Sequence, residues 1–253
     1  MDFWQIILVI AVGFIAGIIN VMAGGGSLLT MPLLIFLGLD STMANGTNRI
    51  AILFQNATAI GGYQSKGQSP GRFSIYLGIS ALFGAIIGSK IALEIPDGVF
   101  NKILAVVMVL VVIMTLLNPS LKLKDGEKLI VRLDKKHKLM AVGALFLIGI
   151  YGGFIQAGTG LFIMAALSFI NRYSLLQSNV AKATIMFIYI LATILIFALD
   201  GQMNLFYGLA LAGSMSVGAW WASRWSAGSG QKYIKWFMVI AVSAMAISLW
   251  LKT

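Results

Sequence analysis

From Phe3 to Gly38 the chain is apolar almost throughout, yet this stretch is too long to be one helix. At 1.5 Å per residue a continuous helix over it would measure roughly 54 Å, against about 30 Å of bilayer hydrocarbon. It has to break, and Gly24-Gly25-Gly26 is the place, because glycine weakens a helix interior and accepts strained backbone. Residues 27–38 are then too short to span alone. They read as a half-helix that returns into the membrane. Residues 139–171 repeat the pattern, with the break expected at Gly158-Thr159-Gly160 and the second half-helix starting at Leu161.

The remaining apolar runs complete an all-α polytopic membrane protein. Ten segments are expected, at 3–23, 27–38, 43–64, 72–93, 98–117, 139–156, 160–171, 175–199, 203–223 and 231–251. Of 253 residues, 59% are hydrophobic and 10% charged, where soluble domains carry roughly 25% charge. A soluble chain of this size could not bury so much apolar surface. The absence of cysteine excludes disulfides and thiolate metal sites. The N-terminus has no basic region and no small-residue cleavage site before Gly13, so it reads as a retained helix rather than a signal peptide.

The chain matches itself at an offset of 134. Ala23-Gly24-x-Gly26 falls on Ala157-Gly158-x-Gly160, Asn45 on Asn179, Gly67-Gln68 on Gly201-Gln202, Gly84-Ala85 on Gly218-Ala219, and Lys90 on Arg224. This divides the chain into a first transmembrane repeat (1–117), a charged cytoplasmic linker (118–138) and a second transmembrane repeat (139–253). Each repeat holds one broken or re-entrant half-helix and about four spanning helices.

The formal charge of +10 belongs to membrane orientation rather than to nucleic acid. If each half-helix returns, the repeats are inverted, and the linker side holds fourteen cations against four on the other: Arg49, Lys90, Lys102 and Lys252. If each broken segment crosses fully, the split is ten to eight. The positive-inside rule favours inversion, with the linker cytoplasmic and both termini periplasmic in a bacterial inner membrane.

The chemistry is expected at the breaks. A helix N-terminus offers free N–H groups and the positive end of a dipole to an anion, and paired discontinuous helices form the substrate site of many inverted-repeat carriers. Candidate substrate-binding residues are Gly24, Gly25, Gly26, Ser27, Gly158, Thr159 and Gly160, with Asn45, Thr47, Asn48, Arg49, Asn179 and Lys182 on the helices that follow. The plainer reading of the glycines is close helix packing. Arg49 and Lys182 either balance a substrate's charge or snorkel to the interface. Asn20 and Gln156 precede the breaks and either touch the ligand or, as is expected first, satisfy unwound backbone. No acid falls mid-span, no catalytic or metal-binding cluster is evident, no cofactor motif is present, and Gly24-Gly25-Gly26-Ser27 lacks the Gly-Lys-Ser/Thr of a P-loop.

Gly17, the run Ala23-Gly24-Gly25-Gly26-Ser27, Pro32, Leu34, Gly38, Ala44 and Gly46-Thr47 resemble the sulfite exporter TauE/SafE family, also called the 4-toluene sulfonate uptake permease family. The second half is similar at Gly158-x-Gly160, Asn179, Lys182, Asp200-Gly201 and Gly218-Ala219. The likeness covers nearly the whole chain. It implies secondary transport of sulfite, an organosulfonate or a related sulfur-containing anion, driven by protons. Two departures are Asn48-Arg49 after Gly46-Thr47, and Ala166 where the first repeat has Pro32. The residues alone also admit a passive anion channel and, with little support, a membrane-embedded enzyme or assembly factor. Duplicated folds work as monomers or homodimers, and the sequence leaves both open.

Overall fold

A computed structural model describes residues 3–117, 131–224 and 231–252. These form ten α-helices: α1 (Phe3–Ala23), α2 (Ser27–Phe36), α3 (Ser41–Gln64), α4 (Arg72–Glu94), α5 (Asp97–Leu117), α6 (Lys135–Phe154), α7 (Thr159–Asn171), α8 (Leu175–Leu199), α9 (Leu205–Arg224) and α10 (Gln231–Lys252). Each expected segment corresponds to one helix, so the all-helical membrane architecture holds.

Two expected boundaries need correction. α6 begins at Lys135, so the last four residues of the 118–138 linker are helical; residues 118–130 lie outside the described residues. Asp134 takes extended backbone at the helix start (ψ 162°), and its carboxylate lies 2.5 Å from His137 Nδ1 one turn on. The second half-helix starts at Thr159 rather than Leu161, because the chain turns through left-handed Gln156 (φ 65°) and Gly158 (φ 73°). The break is therefore 155–158, and Thr159 and Gly160 lie in the first turn of α7.

Among the described residues six helices are long and apolar enough to cross a membrane: α1, α4, α5, α6, α8 and α9. α3 is long enough at 24 residues but too polar, since Asn45, Thr47, Asn48, Arg49, Gln55 and Asn56 all turn into the protein. α2 has 10 residues and α7 has 13, so they reach roughly 15 and 20 Å at 1.5 Å per residue. Neither can span.

Small residues let the helices touch backbone to backbone. A Cβ on Gly17 would sit 2.3 Å from the Met215 carbonyl oxygen, and one on Gly149 would sit 2.2 Å from that of Ala81. Ala81 and Met215 are repeat mates, so α1 lies on α9 as α6 lies on α4. Close approach of this kind replaces the hydrophobic driving force that lipid cannot supply between helices.

The contacts also give helix directions. Gly46 and Gly62 of α3 pack on Gln202, just before α9, and on Ser223, at its end, so these helices run the same way. α8 runs opposite to α3. Phe197, near its end, packs on Gly46, while Val180 and Ala183, near its start, share a buried cluster with Ala59 and Tyr63.

Backbone outliers recur at the same spacing of 134. Positive φ occurs at Gly24 and Gly158 (78° and 73°), at Gly38 and Arg172 (97° and 55°), and at Gly67 and Gly201 (73° and 71°). Gln156 is the exception, because its mate Met22 is still helical.

Candidate functional site

The two breaks meet inside the protein. A Cβ on Gly24 would lie 2.6 Å from the backbone of Gly160, and a Cβ on Gly160 would lie 2.6 Å from the Gly24 carbonyl oxygen. Only glycine permits this contact, and at Gly24 the positive φ requires glycine a second time. Ser27 Oγ accepts from the Gly158 N–H at 3.1 Å and donates to the Gln156 carbonyl oxygen at 3.5 Å. Thr159 Oγ1 donates to that same carbonyl at 2.8 Å. The N-termini of α2 and α7, each with first-turn N–H groups that have no intrahelical acceptor, are thus brought together.

A helix that stops inside a membrane also leaves carbonyl groups without partners and a partial negative charge at its C-terminus. Two buried cations answer this. Arg49 of α3 donates to the carbonyl oxygens of Gly152 (3.3 Å) and Gly153 (2.5 Å) at the end of α6, and its guanidinium lies 4.4 Å over the Phe197 ring. Lys182 of α8 donates to the carbonyl oxygens of Asn20 (2.7 Å) and Val21 (3.1 Å) at the end of α1. Each cation closes the broken helix of the other half.

An asparagine orients each cation. Asn45 Oδ1 accepts from Arg49 at 3.1 Å while its Nδ2 donates to the Phe154 carbonyl at 2.7 Å. Asn179 Oδ1 accepts from Lys182 at 2.8 Å. Arg49 is 0% and Lys182 2% exposed, so interfacial snorkelling, one of the two expectations for them, is wrong. The reason is distance along the helix: both sit within α3 and α8, level with the breaks, where a carbonyl end is nearer than water.

A polar cluster surrounds this junction. Thr30 of α2 donates to Asn48 Oδ1 at 2.7 Å. Asn20 Nδ2 donates to Gln55 Oε1. Gln156 Oε1 accepts from the Tyr189 hydroxyl at 3.2 Å and from Arg49 at 3.5 Å. Asn20 and Gln156 therefore bond other side chains, where unwound backbone was expected. Three buried side-chain nitrogens of this cluster, Asn48 Nδ2, Arg49 Nε and Gln156 Nε2, have no acceptor among the described residues, and one buried oxygen of it, Asn20 Oδ1, has no donor.

Most sequence candidates do gather here: Gly24, Gly25, Gly26, Ser27, Asn45, Asn48, Arg49, Gly158, Thr159, Gly160, Asn179 and Lys182. Thr47 does not. It points the other way along α3 and accepts from the Asn204 N–H at 2.9 Å, before α9. Tyr189 was not among the candidates. Its position mirrors Gln55 at the offset of 134, and that correspondence was the signal available. No group of three or more His, Cys, Asp or Glu occurs among the described residues.

The family model described as Sulfite exporter TauE/SafE matches residues 9–249. The chain belongs to the TauE/SafE family. Curated relatives match along their length. A probable membrane transporter protein of a Sinorhizobium species is 26% identical over 236 residues, covering 93% of this chain and 88% of the relative. One from Haemophilus influenzae is 26% identical over 237 residues, covering 92% and 89%. YfcA of Escherichia coli, also a probable membrane transporter protein, is 29% identical over 244 residues, covering 94% and 87%. No solved structure matches the chain. The glycines at the breaks thus belong to a TauE/SafE member whose two half-helices share one polar interior.

Proposed function

We propose that this protein is a secondary transporter that binds a small anion, sulfite, an organosulfonate or a related sulfur-containing anion, where the N-termini of α2 and α7 meet. The observation that carries the reading is the Gly24–Gly160 contact, which brings two helix N-termini together beside three unpartnered buried donors. Helix N-termini and N–H donors both favour negative charge. Arg49 and Lys182 are engaged by helix C-termini, so they cancel the negative ends and leave the positive ends of α2 and α7 to act on the substrate.

The two repeats are inverted, with the linker cytoplasmic and the termini periplasmic in a bacterial inner membrane. This topology is supported by α3 running parallel to α9 and opposite to its own mate α8. It is also supported by the cation bias between the two sides, which persists when buried Arg49 and Lys182 are left out of the count. Alternation of one repeat against the other would open the junction to either side, and protons are the coupling ion the family resemblance implies.

The test is uptake of radiolabelled sulfite or methanesulfonate into proteoliposomes under an imposed pH gradient. Saturable uptake that follows the gradient is expected. Large unitary currents in planar bilayers would replace the carrier with the channel reading.

A further inference from the structure

Gln156 stands opposite the apolar Met22 of the other repeat, and it is built at a conformational cost. Its φ of 65° lies in the left-handed region, which a side chain with a Cβ seldom occupies. Such strain persists where surrounding structure over-determines it and concentrates at ligand sites. Here Ser27 and Thr159 both donate to its carbonyl oxygen, which ties the strained peptide to the first turns of both half-helices.

The side chain is equally constrained. Two donors, the Tyr189 hydroxyl and Arg49, converge on Oε1. That fixes which end of the amide is oxygen and leaves Nε2 as the free end. The residue is 0% exposed, and Nε2 has no acceptor among the described residues. A buried donor is seldom left so in a finished structure. Arg49 Nε and Asn48 Nδ2 are unpartnered in the same way, and all three need an acceptor.

We propose that Gln156 determines what the site accepts: its side-chain N–H binds an oxygen of the anion, so the carrier takes oxyanions and discriminates against halides. A sulfonate, sulfite or nitrate presents several acceptor oxygens to donors carried by separate side chains. A halide is one atom and leaves part of the set unmet. Sites built to hydrogen-bond a ligand reject those that leave their buried donors unpaired. The first repeat contributes no matching amide, because Met22 stands at the equivalent position. The inference rests on the anion-transporter reading and adds the chemistry of selection to it.

The test uses full-length protein purified in detergent, with dissociation constants taken from thermal midpoints titrated with methanesulfonate, nitrate and chloride. Wild type is expected to bind both oxyanions at least tenfold tighter than chloride. Gln156→Met keeps the length of the side chain without the donor. It should weaken oxyanion binding about tenfold to a hundredfold, the range for one unpaired buried group, and leave chloride unchanged. Tyr189→Phe removes the hydroxyl that orients the amide and should lower the oxyanion-to-chloride ratio in the same direction, which keeps the test available if Gln156→Met does not fold. An unchanged ratio in the variants, or equal binding of chloride by wild type, overturns the role of Gln156 and leaves anion transport standing. No binding of any anion by wild type overturns both.

Discussion

Arg49 and Lys182 perform the same task in opposite directions: each crosses from its own half of the chain to close the C-terminal end of the other half's broken helix. The two cations do not occupy matching positions, since Arg49 falls opposite Ala183 and Lys182 opposite Asn48. Their targets do match, being the last turns of α6 and α1. The requirement is set by the broken helix, and adjacent positions on α3 and α8 satisfy it.

Removing either cation should therefore damage the fold as well as transport. Arg49→Met and Lys182→Met leave buried carbonyl groups unpaired, at roughly 1–3 kcal/mol for such a group. The thermal midpoint in detergent should fall for both. Arg49→Met should fall further, because Arg49 also holds Phe197 and Gln156. Arg49→Lys should lie between, since a single ammonium cannot reproduce the planar fork over two carbonyls, Asn45 and the ring.

The glycines divide by what surrounds them. Gly24→Ala and Gly160→Ala place a methyl group 2.6 Å from backbone and should abolish substrate-dependent stabilisation while lowering the midpoint. Gly143 of α6 and Gly213 of α9 have nothing within 4 Å of an added Cβ. There alanine should raise stability by about 0.5–1 kcal/mol through helix propensity alone. A matched set of four alanine variants in one melting experiment separates the two classes.

Inversion can be read directly because the chain has no cysteine of its own. Lys66 and Asp200 are repeat mates, and both are exposed. Single cysteines at these two positions should label from opposite faces of right-side-out vesicles with an impermeant maleimide, Lys66→Cys from the cytoplasmic face. Labelling of both from one face would mean parallel repeats.

At the start of α6 a hydrogen bond from His137 holds the Asp134 carboxyl below the ordinary aspartate range. A folded-state value below the unfolded one stabilises the protein above the unfolded value, and that contribution fades as pH falls through the folded one. His137→Ala should thus lower the midpoint slightly at neutral pH and make no difference in strong acid. Melting curves of both forms across an acid series check this.

Little of the helical layout needed tertiary information. Apolar length and glycine breaks placed ten helices within a few residues, because lipid obliges every spanning backbone group to bond within its own segment. Left-handed backbone falls at both Gly24 and Gly158, positions that the self-match at an offset of 134 pairs.

What the sequence could not determine is where long polar side chains end. Arg49 and Lys182 are each compatible with interface, substrate or helix end, and the choice depends on which carbonyl groups another segment brings within reach. Thr47 and Asn48 are neighbours on one helix, yet one turns to Asn204 and the other to Thr30, as a 100° step per residue permits. Gln156 and Tyr189 meet across 33 residues, a pairing no local pattern records. The sequence by itself determined the helical segments and the breaks between them, since these depend on local backbone and burial in lipid. Only the tertiary structure decided which polar groups face one another at the junction, because that depends on helix rotation and on contacts between distant parts of the chain.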